Sequence, residues 1–357
     1  MKGMHLNRGS LAALLVSALM VAPVKAQEAV TVNPTESAPV SSAAEPPRVS
    51  EPRDWLESMA EATRKLTYRG HFVYQQGSSL ETLSVLHTNQ NGNEKELIRY
   101  LDGLPREVLR HGREITFLSA DRPPVRFEHE SLMPMVGRFT GNDLGKYYQL
   151  RPAALDRIAG REAVQLLVVP TDRFRYGYQI WLDRQSSLML KSVMVDSEGR
   201  IIERMQFTNL EFTDRLSDQE TKLLNRTSKG LPDETTVTMS SLEKDSNGHW
   251  GWEAGWIPDG FEVRNRTRRK SPVSERMVDT VIYSDGIASF SIFVEPDETR
   301  VLSQSSEQIG SMAAVSKVFR NNDTYFHVTV VGEVPLGTAE RVAVSVRPAS
   351  DKQAEKR

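Results

Sequence analysis

The chain has 357 residues, 26% of them charged, a formal net charge of -2 and no cysteine. Near-neutral charge gives no global pull toward nucleic acid or an anionic membrane surface. The absence of cysteine excludes disulfides, thiolate catalysis and cysteine-based zinc sites, and a chain of this length can build apolar cores without such staples.

Lys2 and Arg8 give the chain a basic start, followed by an unbroken small and apolar run from Leu11 to Val21 and then by Val24-Lys25-Ala26. That run is shorter than the roughly 20 apolar residues of a membrane span, so residues 1–26 read as a cleaved secretory signal. No later stretch is apolar enough to cross a bilayer, so the mature chain is expected to be soluble in the periplasm and not membrane-spanning. ATP-dependent, DNA-dependent and cytosolic redox chemistry are disfavoured there. Residues 27–49 are rich in Pro, Ser, Ala, Thr and Glu, lack large apolar groups, and read as a disordered tail. About 300 residues remain, which suits two domains.

Ser50 and Pro52 suit a helix start. Trp55, Leu56, Met59, Thr63 and Leu66 recur at helical spacing and predict a helix with one buried face. Gly70 to Gln76, Leu80 to Thr88 and Glu96 to Leu101 read as short strands. Met133 to Tyr148 reads as a long irregular loop. Ala163 to Val169 is apolar on both faces. Alternation from Tyr176 to Asp183, a turn at Asp183 to Ser186, a strand from Leu188 to Val195, a turn at Ser197-Glu198-Gly199 and a strand to Phe212 predict an antiparallel meander. Residues 50–213 thus form the expected N-terminal domain. Residues 214–233 form a polar, partly helical linker ending in Gly230-Leu231-Pro232-Asp233.

The second domain, residues 234–349, is expected to open with a strand near Thr235 to Leu242. Met277 to Tyr283 and Ile287 to Val294 flank Ser284-Asp285-Gly286, a strong hairpin signal. Asn321-Asn322-Asp323 predicts a second hairpin, Thr338 to Val346 a closing helix, and residues 350–357 a charged tail.

Catalytic signals are missing. There is no His-Glu-x-x-His, Gly-x-Ser-x-Gly, phosphate-binding loop or EF-hand loop. No two histidines pair at metal-ligand spacing, and His129-Glu130 would point to opposite faces of a strand. The chain is therefore expected to be no enzyme and to need no metal or cofactor. Two clusters are candidates for binding. Arg264, Arg266, Arg268, Arg269 and Lys270 are either a charge-protected sheet edge or a patch for an acidic protein segment or lipid phosphates. Trp256 and Phe261, with Trp250 and Trp252, are either the second core or interface anchors. Phe72, Tyr74, Leu83, Val85, Leu166, Val168 and Tyr178 either fill the first core or line an apolar cavity in a curved sheet.

Several segments together resemble one family. They are Gly70-His71-Phe72-Val73-Tyr74, the run Arg175 to Asp183 with Leu190-Lys191-Ser192, and Glu203 to Thr208. In the second half they are Trp256-Ile257-Pro258-Asp259-Gly260-Phe261, Arg269 to Val273, Tyr283 to Pro296 and Val331 to Pro335. In order and spacing, from about Trp55 to Pro348, the chain is similar to the RseB/MucB proteins, periplasmic negative regulators of the sigma-E envelope-stress response. The resemblance implies an α+β fold. It implies an N-terminal curved antiparallel half-barrel over helices, like a lipoprotein carrier, and a smaller C-terminal antiparallel sheet with a helix. It also implies a function: binding the periplasmic part of an RseA- or MucA-type membrane anti-sigma factor and shielding it from proteolysis, with release by lipopolysaccharide or lipoprotein acyl chains. The rival readings are a periplasmic lipid or lipoprotein carrier and a periplasmic hydrolase, and a homo-oligomer is left open.

Overall fold

A computed structural model describes residues 52–90, 92–112, 114–128, 144–226, 237–239, 251–270, 276–296, 304–321 and 324–349. The expected signal, both tails, Ser50, the His129-Glu130 pair and most of the loop before Tyr148 lie outside these residues.

Helix α1 (Pro52–Lys65) forms where the apolar spacing demanded it and buries Leu56, Met59, Ala60, Ala62 and Thr63. Arg64 and Lys65 occupy its last turn, where cations complement the carbonyl end of the helix. Six strands follow: β1 (Tyr68–Gln76), β2 (Ser79–Gln90), β3 (Asn93–Tyr100), β4 (Arg106–His111), β5 (Glu114–Ser119) and β6 (Arg122–Glu128). After a single turn, α2 (Leu144–Tyr147), come β7 (Tyr148–Ile158), β8 (Arg161–Pro170), β9 (Gly177–Asp183), β10 (Met189–Val195) and β11 (Ile201–Phe212). The chain meanders outward from β1 to β6 and inward from β7 to β11. The two wings join at the middle, where β11 lies antiparallel to β1 with Tyr68 opposite Phe212. The result is one open sheet, not a closed barrel, ending in β7 on one side.

One face of this sheet carries the first core. Val85, Ile98, Val108 and Phe117 stand in register across four strands, and Leu166 and Ile180 continue the apolar face on the other wing. Both wings and Leu56, Met59 and Ala62 of α1 belong to a single cluster, so the sheet wraps round the helix. On the opposite face Leu86, Leu97 and Leu109 meet Leu216 and Leu224. Leu224 belongs to α3 (Asp218–Leu224), which a reciprocal Ser217–Glu220 capping box starts. The first part of the expected linker is therefore packed domain structure: its leucines cover an apolar stripe that water would otherwise meet. A second difference concerns β12 (Val237–Met239). Expected to open the second domain, it instead pairs parallel with β6 at the other end of the first sheet. An edge strand offers unpaired backbone groups that a following segment can satisfy.

The C-terminal domain holds a two-stranded pair, β13 (Trp252–Ala254) with β20 (Val346–Pro348), and a six-stranded sheet. The latter comprises β14 (Glu262–Lys270), β15 (Met277–Ser284), β16 (Ser289–Pro296), β17 (Ser305–Ile309), β18 (Met312–Asn321) and β19 (Thr324–Gly332), in the order 14-15-16-19-18-17. Both expected hairpins are present as antiparallel pairs, Ser284 opposite Ser289 and Phe319 opposite Phe326. Helix α4 (Leu336–Ser345) buries Ala339, Val342 and Ala343 against Phe290, Ile292, Val294, Val315, Val328 and Val330.

Candidate partner-binding site and interdomain seam

The two domains meet through a buried polar seam built around Arg175, the residue that leads into β9. Its side chain is fully buried, as is that of Asp285 in the β15–β16 turn. Arg175 Nη1 donates to Asp285 Oδ2 at 2.6 Å. Its Nε and Nη2 form a fork on Asp172 at 3.1 and 2.9 Å, and Nη2 also donates to the Asp259 carbonyl at 2.6 Å. Such a two-pronged arrangement is the strong form of an arginine–carboxylate pair. Tyr148 Oη donates to the same Asp285 Oδ2 at 3.0 Å. Burial, reinforced by the Asp285 charge, pushes this hydroxyl well above the usual tyrosine range, so it stays a donor. The other Asp285 oxygen accepts the Ile287 and Ala288 amides at 2.9 and 2.7 Å. One carboxylate therefore shapes its own hairpin and receives the neighbouring domain.

Rings enclose the guanidinium. The Tyr147 and Phe261 centroids each lie 5.1 Å from Arg175 Cζ. Phe261 is brought there by a turn in which its amide donates to the Pro258 carbonyl, with Gly260 at φ +87°. A Cβ on Gly260 would run into the Tyr147 ring, so two reasons require glycine. Elsewhere along the seam, Glu203 accepts from Gln76 Nε2 at 2.9 Å and from the Ser311 amide and hydroxyl at 3.2 and 2.5 Å. Tyr176 Oη donates to the Val334 carbonyl and Thr338 Oγ1 to the Phe174 carbonyl, both at 3.1 Å. Sequence reasoning missed Arg175, Asp285, Asp172, Tyr148, Glu203 and Ser311 as a group. The only local signal was the aspartate in a hairpin turn.

The seam settles where the two aromatic candidates lie. Phe261 is buried in the second core and faces Arg175. Trp256 packs edge-on to Phe174 at 5.0 Å, with Arg341 Cζ 3.9 Å from its ring. Both rings join the domains to each other.

Phe72, Leu83, Val85, Leu166, Val168 and Tyr178 are all buried in the first core, and Tyr74 packs against it. Beside Tyr74, Met189, Met194 and Met205 lies a gap of only about 10 Å³, the room of about one water. Leu56, Met59 and Ala62 of α1 belong to the same packed core. On the far side of the sheet, Thr88, Asn93, Lys95, Leu216, Thr221 and Asn225 border an open polar groove of about 360 Å³.

The basic candidates share β14, which ends the six-stranded sheet. Arg264, Arg266 and Arg268 are exposed. Arg268 Nε lies 3.3 Å from Asp279 on β15, and Arg264 lies 3.9 Å from Glu262. Arg269 and Lys270 continue the strand opposite Val278 and Met277. These residues and the two aromatics thus lie in different places, the former on an edge and the latter in the seam. Among the described residues no group of three or more His, Asp or Glu is arranged to hold a metal, and no helix is long and apolar enough to cross a membrane.

Comparison with known proteins matches the MucB/RseB N-terminal domain to residues 51–224 and the MucB/RseB C-terminal domain to residues 246–347. The sigma factor AlgU regulatory protein MucB of Pseudomonas aeruginosa is 35% identical over 296 residues, covering 83% of this chain and 90% of the relative. The sigma-E factor regulatory protein RseB of Escherichia coli K12 is 27% identical over 298 residues, covering 82% and 89%. Among solved structures, MucB in complex with MucA(peri) superposes with a TM-score of 0.66 at 33% identity, over 84% of this chain and all of that one. The Pseudomonas aeruginosa MucA/MucB complex gives a TM-score of 0.68 with the same identity and coverage. Two domain matches in order and relatives matched over nine-tenths of their length leave one conclusion: the chain belongs to the MucB/RseB family.

Proposed function

We propose that this chain is a periplasmic, non-enzymatic regulator that holds the periplasmic segment of a MucA-type anti-sigma factor and shields it from regulated proteolysis. The observation that carries this reading is the likeness, across both domains, to MucB solved together with MucA(peri). The seam supports it as well. A protein whose two cores are joined through Arg175 and Glu203 presents both domains to a client as one surface. A lipid carrier would need only the wrapped sheet, so the second domain and its polar junction weigh against that alternative.

Release follows by linkage in this reading. Acyl chains of lipopolysaccharide or lipoprotein bind preferentially to the client-free form and lower client affinity by the same factor. Coupling of this kind is typically about 1–3 kcal/mol. Phe72, Tyr74, Leu83, Val85, Leu166, Val168 and Tyr178 are the proposed acyl-contact residues. Since they share one packed core with Leu56, Met59 and Ala62 of α1, an entering acyl chain is expected to displace the helix, and ligand-dependent exposure of residues 52–65 is the expected signature.

The test is direct. The mature chain is titrated with the purified periplasmic domain of the MucA-type anti-sigma factor of the same organism, and the complex is challenged with a site-one protease, with and without lipopolysaccharide. Saturable binding, protection of the client and loss of protection with lipid are expected. A client cleaved equally fast with and without the chain would defeat the reading.

A further inference from the structure

We propose that the anti-sigma segment docks by adding an extended, acidic strand to the outer edge of β14, with carboxylates two residues apart set against Arg266 and Arg268. This rests on the client reading above and names how and where that client is held.

Three observations converge on this edge. β14 ends the sheet, so among the described residues its only ladder partner is β15. An edge strand directs every second N–H and C=O outward, ready for a further strand. The strand is also strongly basic within a chain of net charge -2: it carries Arg264, Arg266, Arg268, Arg269 and Lys270, with Glu262 in the strand and Asp279 opposite among the described residues. Finally, register places Arg266 opposite Val281 and Arg268 opposite Asp279. Those two arginines therefore rise from one face of the sheet, while Thr267 between them turns to the other and is buried.

The spacing specifies the ligand. A strand added about 4.8 Å away would put alternate side chains on the arginines' face. Carboxylates at positions i and i+2 of that strand then sit beside Arg266 and Arg268. Opposite charges across adjacent strands stabilise, and like charges oppose. The same rule keeps out a second copy of β14, which would bring arginine against arginine. An edge guarded against self-pairing is thereby left selective for acid. Asp279 offsets part of the Arg268 charge and keeps that side chain over the ladder, 3.3 Å away. Trp256 and Phe261 take no part, because both are committed to the seam.

The experiment uses the full mature chain and the purified periplasmic domain of the MucA-type anti-sigma factor. Binding rates are measured over a range of salt for wild type, Arg266→Glu/Arg268→Glu and the control Lys222→Glu, whose substitution lies on α3, far in the fold from β14. Amide exchange of the wild-type complex is followed in parallel. The double reversal is expected to weaken binding about tenfold or more, chiefly through slower association, and to flatten the salt dependence. Thermal unfolding of the double variant should drop only slightly, through loss of the Arg268–Asp279 pair at an exposed edge, the control's binding should stay unchanged, and amides of residues 262–270 should gain protection on complex formation. Wild-type binding with no change on double reversal, or with no protection in β14, overturns strand addition and leaves the client reading standing. Absence of wild-type binding overturns both.

Discussion

Arg175 and Asp285 face each other 2.6 Å apart, one from each domain, and neither side chain reaches solvent. Breaking a buried pair from one side costs about 3–5 kcal/mol when the survivor is left unpaired, and less here, because Asp172 still faces Arg175. Asp285→Asn is the cleaner disruption. Its Oδ1 can still accept the Ile287 and Ala288 amides, but an NH2 group would now confront two donors, Arg175 and Tyr148. Calorimetry is expected to show the variant unfolding in two separate transitions at lower temperature where wild type shows one. A single transition at the wild-type midpoint would contradict the latch.

Gly260→Ala is expected to cost more than an ordinary turn substitution. The left-handed backbone alone costs about 1–2 kcal/mol for a residue bearing Cβ. The added methyl would also push Tyr147 from its place against Arg175. Thermal denaturation checks the sum, and an Ala variant within about 0.5 kcal/mol of wild type would show that the seam relaxes freely.

Leu166 separates a filled core from a lined cavity. It is almost fully buried, in register with Ile180. If its methyls are packed on all sides, Leu166→Ala should cost about 2–5 kcal/mol in denaturant unfolding. A loss well below about 2 kcal/mol would mean that the side chain borders space already open.

Glu96 gives a pH dependence with a definite sign. Burial raises the pKa of this carboxyl above its usual value, against the pull of His87 and Arg110. One of its oxygens makes no hydrogen bond, and the other lies 3.8 Å from Arg110. The folded state therefore prefers the protonated acid. The stability this group contributes is full below the ordinary glutamate range and is lost as pH rises through the folded value. Glu96→Gln mimics the neutral acid. It should match wild type near about pH 4 and melt higher than wild type near about pH 8. A variant less stable than wild type at the upper pH would show that the charge is needed there.

Local pattern carried some of this architecture and not the rest. Helix α1 was legible because Leu56, Met59 and Thr63 repeat at its own period, and the β9–β10–β11 meander because short turns separate alternating runs. Strands β4 and β5 were not, since Arg106, Arg110 and Glu114 interrupt the alternation; Arg106 is met by Glu81 from β2, across β3, and Arg110 by Glu94 from the adjacent β3. The aromatic cluster near Trp256 was visible as a cluster, yet composition cannot distinguish a ring facing a client from one facing the chain's own other domain. The basic run reads in the sequence as either a charge-protected sheet edge or a binding patch; it lies on β14, which ends its sheet. Arg175 was invisible for a different reason. Its main partner is 110 residues away, and nothing in a strand entry such as Phe174-Arg175-Tyr176 announces a junction.

The pairing of β1 with β11 has a consequence for how the chain comes into being. Tyr68 cannot meet Phe212 until everything between them has been made. A polypeptide delivered from its amino end thus holds its first wing with the inner edge of β1 bare until β11 is made, and its most central pairing is one that must wait for a long loop to close. Until Ile201–Phe212 arrives, that edge of β1 is open to pairing with any other strand, and its arrival is what closes the middle of the sheet.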